Sequence, residues 1–351
     1  MPHTIAVIAG DGIGLEVVPA ATRCIDAALA LGGERVDWMP LDWGSARYHR
    51  EGAMMPADGL DAISRVDAIF LGAVGDPSIP DVETLWGLLI PIRRRFGQYV
   101  NLRPVRSLDG IASPLASGER TDLVIVRENS EGEYSELGGR FGSGDDELAV
   151  QNDVFTRRGV RRIAEYAFDL AGRRRGRLTS ATKSNGIIHT MPFWDEVVAA
   201  VAAGHPAVEW RAVLVDALAA ELVRRPGAFD VVVASNLLGD ILSDLAGAVA
   251  GSIGIAPSAN IDPTRTHPSM FEPVHGSAPD IAGQGIANPI GQIWSGALML
   301  SHLGLADAAA ALTRAFEAVV ADGVLTRDLG GDASTDDVAD EIVARLRTME
   351  A

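Results

Sequence analysis

Two aspartates, Asp240 and Asp244, stand four residues apart in FDVVVASNLLGDILSDLAGAVAG, residues 229–251. On a helix that spacing places both carboxylates on one face, one turn apart. No Lys or Arg lies within 229–251 to relieve their repulsion. A solvated helix face is the plain reading of such a pair, but its surroundings here are apolar. A divalent cation would remove the repulsion, and hard carboxylate oxygens suit Mg²⁺ or Mn²⁺. Other groups able to do chemistry fall just past short apolar runs. Arg127 and Tyr134 follow LVIV, Lys183 and Asn185 follow LTSAT, and Asp216 follows AVLV. Arg93, Arg94, Arg95, Arg103 and Arg106 crowd the stretch 86–106. In an acidic chain such a concentration suits carboxylate recognition, because guanidinium forks grip carboxylates bidentately. At least one of the three consecutive arginines is accounted for by a solvated helix face.

These groups need elements to hold them. Apolar runs at Ile5–Ile8, Ala68–Leu71, Leu123–Val126, Leu178–Ala181, Ala212–Val215 and Val231–Ala234 read as strands. Helical patterns near 15–31, 83–98, 156–171, 190–203, 216–225, 238–250, 288–303, 305–321 and 335–349 alternate with them. Ser235 and Asn236 are cap-type residues ahead of the aspartate helix. This alternation predicts an α/β protein with substantial parallel sheet, its chemistry at strand C-terminal ends. The Gly- and Asp-rich stretch 136–150 interrupts the pattern and reads as a projecting hairpin that pairs subunits. After the first strand come Gly10, Gly12 and Gly14, but Leu15 fills the third position of a dinucleotide fingerprint, and Glu34 makes an incomplete ribose match. The glycines are therefore read as a tight strand-to-helix turn rather than an orthodox Rossmann site.

Composition sets the outer bounds. At 351 residues the chain exceeds one ordinary core, so two lobes are expected. A formal charge of −17 with no offsetting basic tract argues against nucleic acid as a partner. No window reaches eighteen apolar residues and MPHTIAVIAG does not read as a signal peptide, so neither membrane insertion nor export is expected. Cys24 is the only cysteine, which excludes an intramolecular disulfide and suits a reducing cytoplasm.

Taken together, the motifs resemble the β-decarboxylating dehydrogenases, the family of isopropylmalate, isocitrate, tartrate and D-malate dehydrogenases. GDGIG, NLRP at 101–104, RENSEGEYS at 127–135, TKSNG at 182–186, NLLGDILSD at 236–244 and FEPVHGSAPDIAGQGIANP at 271–289 carry the likeness along nearly the whole chain. It implies a two-domain, non-Rossmann fold. Residues 1–99 plus 253–351 would bind cofactor, and 100–252 would serve substrate, metal and dimerisation. Arg93, Arg103 and Arg127 would meet substrate carboxylates, with Asn185 beside them. Asp240 and Asp244 would hold Mn²⁺ or Mg²⁺ with the partner subunit's Asp216, and K⁺ stays open as a further cation. Lys183, also reaching across in this family, would help remove the hydroxyl proton, and Tyr134 would protonate the enol carbon. NAD would meet Glu272, His275, Gly276, Ser277, Ala278, Asp280, Ile281 and Asn288. Asp280 is the acid expected for ribose hydroxyls, and it would repel a 2′-phosphate.

Substrate choice falls on Trp86, Leu88, Leu89 and Ile90, where isopropylmalate enzymes leave an apolar slot for a branched alkyl group. An indole there leaves room for a C4 diacid, and Glu133 and Ser184 also depart from the isopropylmalate pattern. The expected activity is therefore oxidation, with or without decarboxylation, of tartrate or D-malate by a homodimer with shared active sites. Isopropylmalate dehydrogenase is the alternative. A catalytically silent homologue is a second alternative, since a fold alone confers no activity.

Overall fold

A computed structural model describes residues 2–115 and 117–349. Along the chain the strands are β1 (His3–Gly10), β2 (Val36–Leu41), β3 (Ala68–Ala73), β4 (Val100–Arg106), β5 (Asp122–Glu128) and β6 (Gly138–Phe141). There follow β7 (Leu148–Gln151), β8 (Arg177–Thr182), β9 (Glu209–Leu214), β10 (Val231–Ala234), β11 (Pro257–Ile261) and β12 (Ser269–Pro273). The chain divides into two compact units. One comprises Met1–Gln98, Ser107–Pro114 and Ala250–Ala351, the other Tyr99–Arg106 and Leu115–Val249. The excursion 107–114 therefore packs with the first unit, whereas the sequence reading kept 100–252 as one block.

In the first unit the strand order is β2-β1-β3-β12-β11, parallel except for the antiparallel β11–β12 pair. The helix Gly14–Ala30 follows β1 directly, and the turn between them depends on glycine. Gly12 has φ +54, and a Cβ there would lie 2.0 Å from the Ser277 carbonyl oxygen. The glycines thus form the tight strand-to-helix turn expected of them, and Gly12 also lets that turn pack onto the 275–283 loop.

In the second unit the order is β4-β5-β10-β8-β9, parallel except for β4–β5. Val231, Val232 and Val233 are fully buried, as a strand covered on both faces requires. Each contributes about 1.5–3 kcal/mol of apolar burial. β6 and β7 form a separate antiparallel hairpin over the stretch read as an arm. Leu137, Phe141, Leu148 and Val150 are exposed on and beside it.

The expected strands and long helices are present, with boundaries shifted by a few residues. β2, β4, β11 and β12 escaped the sequence reading because they lack the apolar signature. β4 is NLRPVR after its first valine, and β11 buries Ser258 and Asn260. The stretch 83–98, read as one helix, is three pieces: Asp81–Thr84, a π-turn over Leu85–Leu89, and Ile90–Arg95. Pro91 supplies the reason. Its ring would crowd the Gly87 carbonyl of a regular helix and it offers no N–H, so the ladder widens there.

Candidate active site

The second unit gathers its chemistry around the aspartate helix, Asn236–Ala250. Arg127, at the end of β5 and only 3% exposed, grips Asn236 Oδ1 through Nε at 3.0 Å and Nη2 at 2.7 Å. Its Nη1 donates to Asp240 Oδ1. Arg103, on β4, is held by Asn101 Oδ1 at 2.7 Å and Ser243 Oγ at 2.7 Å. Arg103 Nη1 then stands 3.2 Å from both Asp240 Oδ1 and Asp244 Oδ1. The Tyr134 hydroxyl donates to Asp240 Oδ2 at 3.0 Å, and its ring lies 5.6 Å from the Arg127 guanidinium carbon.

This arrangement corrects the electrostatic argument drawn from sequence. The repulsion between Asp240 and Asp244 is relieved without a metal, by two arginines more than a hundred residues away in the chain. A window of 229–251 could not contain them. Close approach of helix and arginine rests on Gly239, where a Cβ would lie 2.7 Å from the Arg127 Cβ. The capping expectation also changes. Glu133, buried, accepts from Leu237 N–H at 3.0 Å and Ser235 Oγ–H at 2.5 Å. Asn236 turns instead to Arg127, and its Nδ2 donates to the Glu131 carbonyl at 3.2 Å.

Burial raises the Asp244 carboxyl above its ordinary range; Arg103 and Arg127 oppose that rise, and Asp240 adds to it. Burial first, then the Asp240 charge, raises Tyr134, against the opposing pull of Arg127. Tyr134 therefore keeps its proton at neutral pH, as a proton donor must. Lys183 Nζ and Asp216 Oδ1 meet at 2.9 Å past the ends of β8 and β9, and that hydrogen bond holds Asp216 below the usual carboxylate range. Among the described residues neither is bonded to Asp240 or Asp244. Asn185 is exposed.

Within one chain the described residues hold no cluster of three metal-ligating acids, histidines or cysteines. Asp240 and Asp244 nonetheless fit a hard divalent cation. Their facing oxygens already share one positive charge, Arg103 Nη1, and both side chains reach solvent, at 32% and 52% exposure.

In the first unit Arg93 donates to Glu272 Oε1 at 2.6 Å, and Asn260 donates to the same oxygen at 2.6 Å. Glu272, expected at the cofactor, is thus buried as the orienting partner of Arg93. Trp86 lies in the π-turn with the Arg94 guanidinium 4.8 Å over its ring. Leu88 and Leu89, expected beside the substrate, are buried in the core with Met54, Ile92 and Phe96.

The loop expected to meet the cofactor follows β12. Ile13 N–H donates to the Ser277 carbonyl at 2.9 Å, and Ala278 takes φ +40. Ala278 and Ile281 pack against Ile13, Val17 and Ala287. Glu16 clamps the far side, accepting from the N–H groups of Gly283 and Gly285. Asn288 accepts from Ile290 N–H at 3.0 Å and donates to Asp328 at 3.1 Å. His275 Nδ1 faces the Gly276 carbonyl at 3.0 Å, while Nε2 is buried without a partner. Burial keeps that imidazole below its ordinary pKa. An orphaned ring nitrogen beside open space at Gly276 and an exposed Asp280 fit a polar ligand such as a dinucleotide.

Sequence reading missed Asn101, Gly239, Ser243 and Glu16, and gave Asn236 only a capping role. All but Glu16 sit inside motifs it had singled out. Ser243, three residues after Asp240, was readable as sharing its face.

The fold is a mixed, largely parallel α/β sheet with charged groups gathered at its strand ends. A solved isocitrate dehydrogenase from Methylococcus capsulatus superposes with a TM-score of 0.90 at 37% identity, covering 98% of this chain and 99% of that one. The family described as isocitrate/isopropylmalate dehydrogenase matches residues 4–342. The chain belongs to that family. A probable tartrate dehydrogenase/decarboxylase of Bacillus subtilis (strain 168) is 53% identical over 98% of each chain. A decarboxylating D-malate dehydrogenase of Escherichia coli (strain K12) is 53% identical over 96% of this chain and 97% of its own. A tartrate dehydrogenase/decarboxylase of Pseudomonas putida is 51% identical over 99% and 98%.

Proposed function

We propose that the chain catalyses NAD- and divalent-metal-dependent oxidation, with or without β-decarboxylation, of a C4 2-hydroxy diacid, tartrate or D-malate. The observation that carries this reading is the pair Arg103 and Arg127, buried yet converging on the partly exposed Asp240, Asp244 and Tyr134. Buried guanidiniums fixed by Asn101, Asn236 and Ser243 are pre-organised for carboxylate recognition. The relatives at 51–53% identity, named for tartrate and D-malate, support the choice of diacid.

In this reading Asp240 and Asp244 bind Mn²⁺ or Mg²⁺ together with the partner subunit's Asp216, and K⁺ is a further candidate. The cation, when bound, would supply stabilisation of charge on the substrate oxygen, and NAD would supply the hydride acceptor. The partner subunit's Lys183, in its neutral amine form, takes the hydroxyl proton. Tyr134 Oη holds the proton delivered to the enol carbon after carbon dioxide leaves. Trp86, stacked by Arg94, restricts the slot to small diacids. The exposed hydrophobic residues of the β6–β7 hairpin support its role as a dimer-forming arm. Cys24 is buried, its thiol pushed up to about 12, which suits a chain that uses no disulfide and works in a reducing cytoplasm. Among the described residues no helix is long and apolar enough to cross a membrane.

The test is NADH formation with Mn²⁺ on D-malate, each tartrate stereoisomer and 3-isopropylmalate. A C4 diacid should give the highest kcat/KM. Equal kcat/KM on 3-isopropylmalate would refute the substrate assignment, and silence on every substrate would refute the activity.

A further inference from the structure

The first unit carries a cavity of ≈ 430 Å³ lined by Arg65, Arg265, His3, His267, His302 and a single acid, Asp67. It lies at the N-terminal ends of the strands. His3 begins β1, residues 64–67 lead into β3, 265–268 lead into β12, and His302 ends the helix Ile290–His302. β1, β3 and β12 run parallel, so the GDGIG turn and the 275–288 loop lie at their other ends. Nothing in the proposed reaction uses this end of the sheet.

Arg65 and Arg265 are both exposed on the wall of the cavity, and among the described residues neither forms an ion pair or a side-chain hydrogen bond. The acids close by are already engaged. Asp67 accepts from Thr4 N–H at 2.8 Å and faces His3 at 3.4 Å. Asp262, behind the cavity, accepts from the N–H groups of Thr264, Thr266 and His267 and from the Thr264 hydroxyl. Those bonds fasten the loop that carries Arg265, which is held at φ +55. A non-glycine residue persists in that region only where its surroundings over-determine it. The charge of Arg265 also reaches the cavity wall: burial first, and then Arg265, lower the His302 pKa to about 4, with Asp262 opposing them.

We propose that this cavity is a second ligand site, for a compact multivalent oxyanion bearing phosphate or carboxylate groups. Two guanidinium forks supply the charge and bidentate geometry that such groups need, and the imidazoles add ring nitrogens. The volume is that of a small-molecule pocket.

The experiment is isothermal titration of the full chain with inorganic pyrophosphate and, in a separate arm, citrate. The two arms distinguish phosphate from carboxylate recognition. Saturable binding near one anion per chain is expected in at least one arm. In the double variant Arg65→Gln/Arg265→Gln it should weaken by roughly tenfold or more, the loss expected for charge-assisted hydrogen bonds. Arg65→Lys/Arg265→Lys keeps the charge without the fork and should fall between. Both arginines are exposed, so thermal melting of the variants should match the parent. Absence of saturable binding in both arms overturns the proposal. So does equal affinity in the glutamine double variant, which would place the anion elsewhere, such as at Arg103 and Arg127.

Discussion

Glu133 makes the sharpest test of how the aspartate helix is positioned. Its carboxylate accepts from Ser235 Oγ–H at 2.5 Å and Leu237 N–H at 3.0 Å, at the N-terminus of Asn236–Ala250. Glu133→Ala removes the cap, and loss of such a cap costs about 1 kcal/mol. It also strands the Ser235 hydroxyl, which is fully buried, at about 1–3 kcal/mol. The lost carboxylate–dipole interaction adds about 0.3–1 kcal/mol. The sum is about 2–5 kcal/mol of destabilisation, whereas Glu133→Gln keeps an acceptor oxygen and should cost about 1 kcal/mol. Urea unfolding with matched m-values measures both. Asp240 and Asp244 ride on this helix, so Mn²⁺ half-saturation should rise in Glu133→Ala and rise less in Glu133→Gln. A Glu133→Ala variant within about 0.5 kcal/mol of the parent would refute the capping argument.

Chelation should abolish turnover, and Mn²⁺ or Mg²⁺ should restore it. Because Arg103 and Arg127 already offset the aspartate charges, the far-UV circular dichroism should persist in EDTA; full turnover there would sink the metal reading. Asp280→Lys should shift kcat/KM from NAD toward NADP, since a lysine replaces an exposed acid facing the ribose in our assignment. A native enzyme using both cofactors equally would contradict that assignment. Asp240→Ala chains co-expressed with Lys183→Ala chains should regain roughly a quarter of parental activity, because about half the dimers are mixed and each has one intact site. No recovery, with mixed dimers confirmed by mass, would mean that Lys183 serves its own chain.

Much of this architecture was legible in the chain because it rests on local periodicity. Val231–Ala234 reads as a buried strand from its unbroken valines, and Asp240 and Asp244 share a face because helical geometry alone places i and i+4 together. The strand-end positions of Arg127, Lys183 and Asp216 followed from where apolar runs stop. Polar buried strands left no such trace. β11 and β12 depend on partners for Asn260 and Glu272 that lie elsewhere in the chain, among them Arg93, 179 residues before Glu272. The counter-charges of the aspartate pair are likewise non-local: Arg103 and Arg127 arrive from β4 and β5, 141 and 113 residues away from the acids they meet. Glu133 takes the capping role that the neighbouring Ser235 and Asn236 had suggested, because the fold brings a buried carboxylate to the helix end and commits Asn236 to an arginine. Sequence determines which residues can share an element, since that depends on spacing within a few bonds. Which charges neutralise one another depends on distances through space, and only the folded chain sets those.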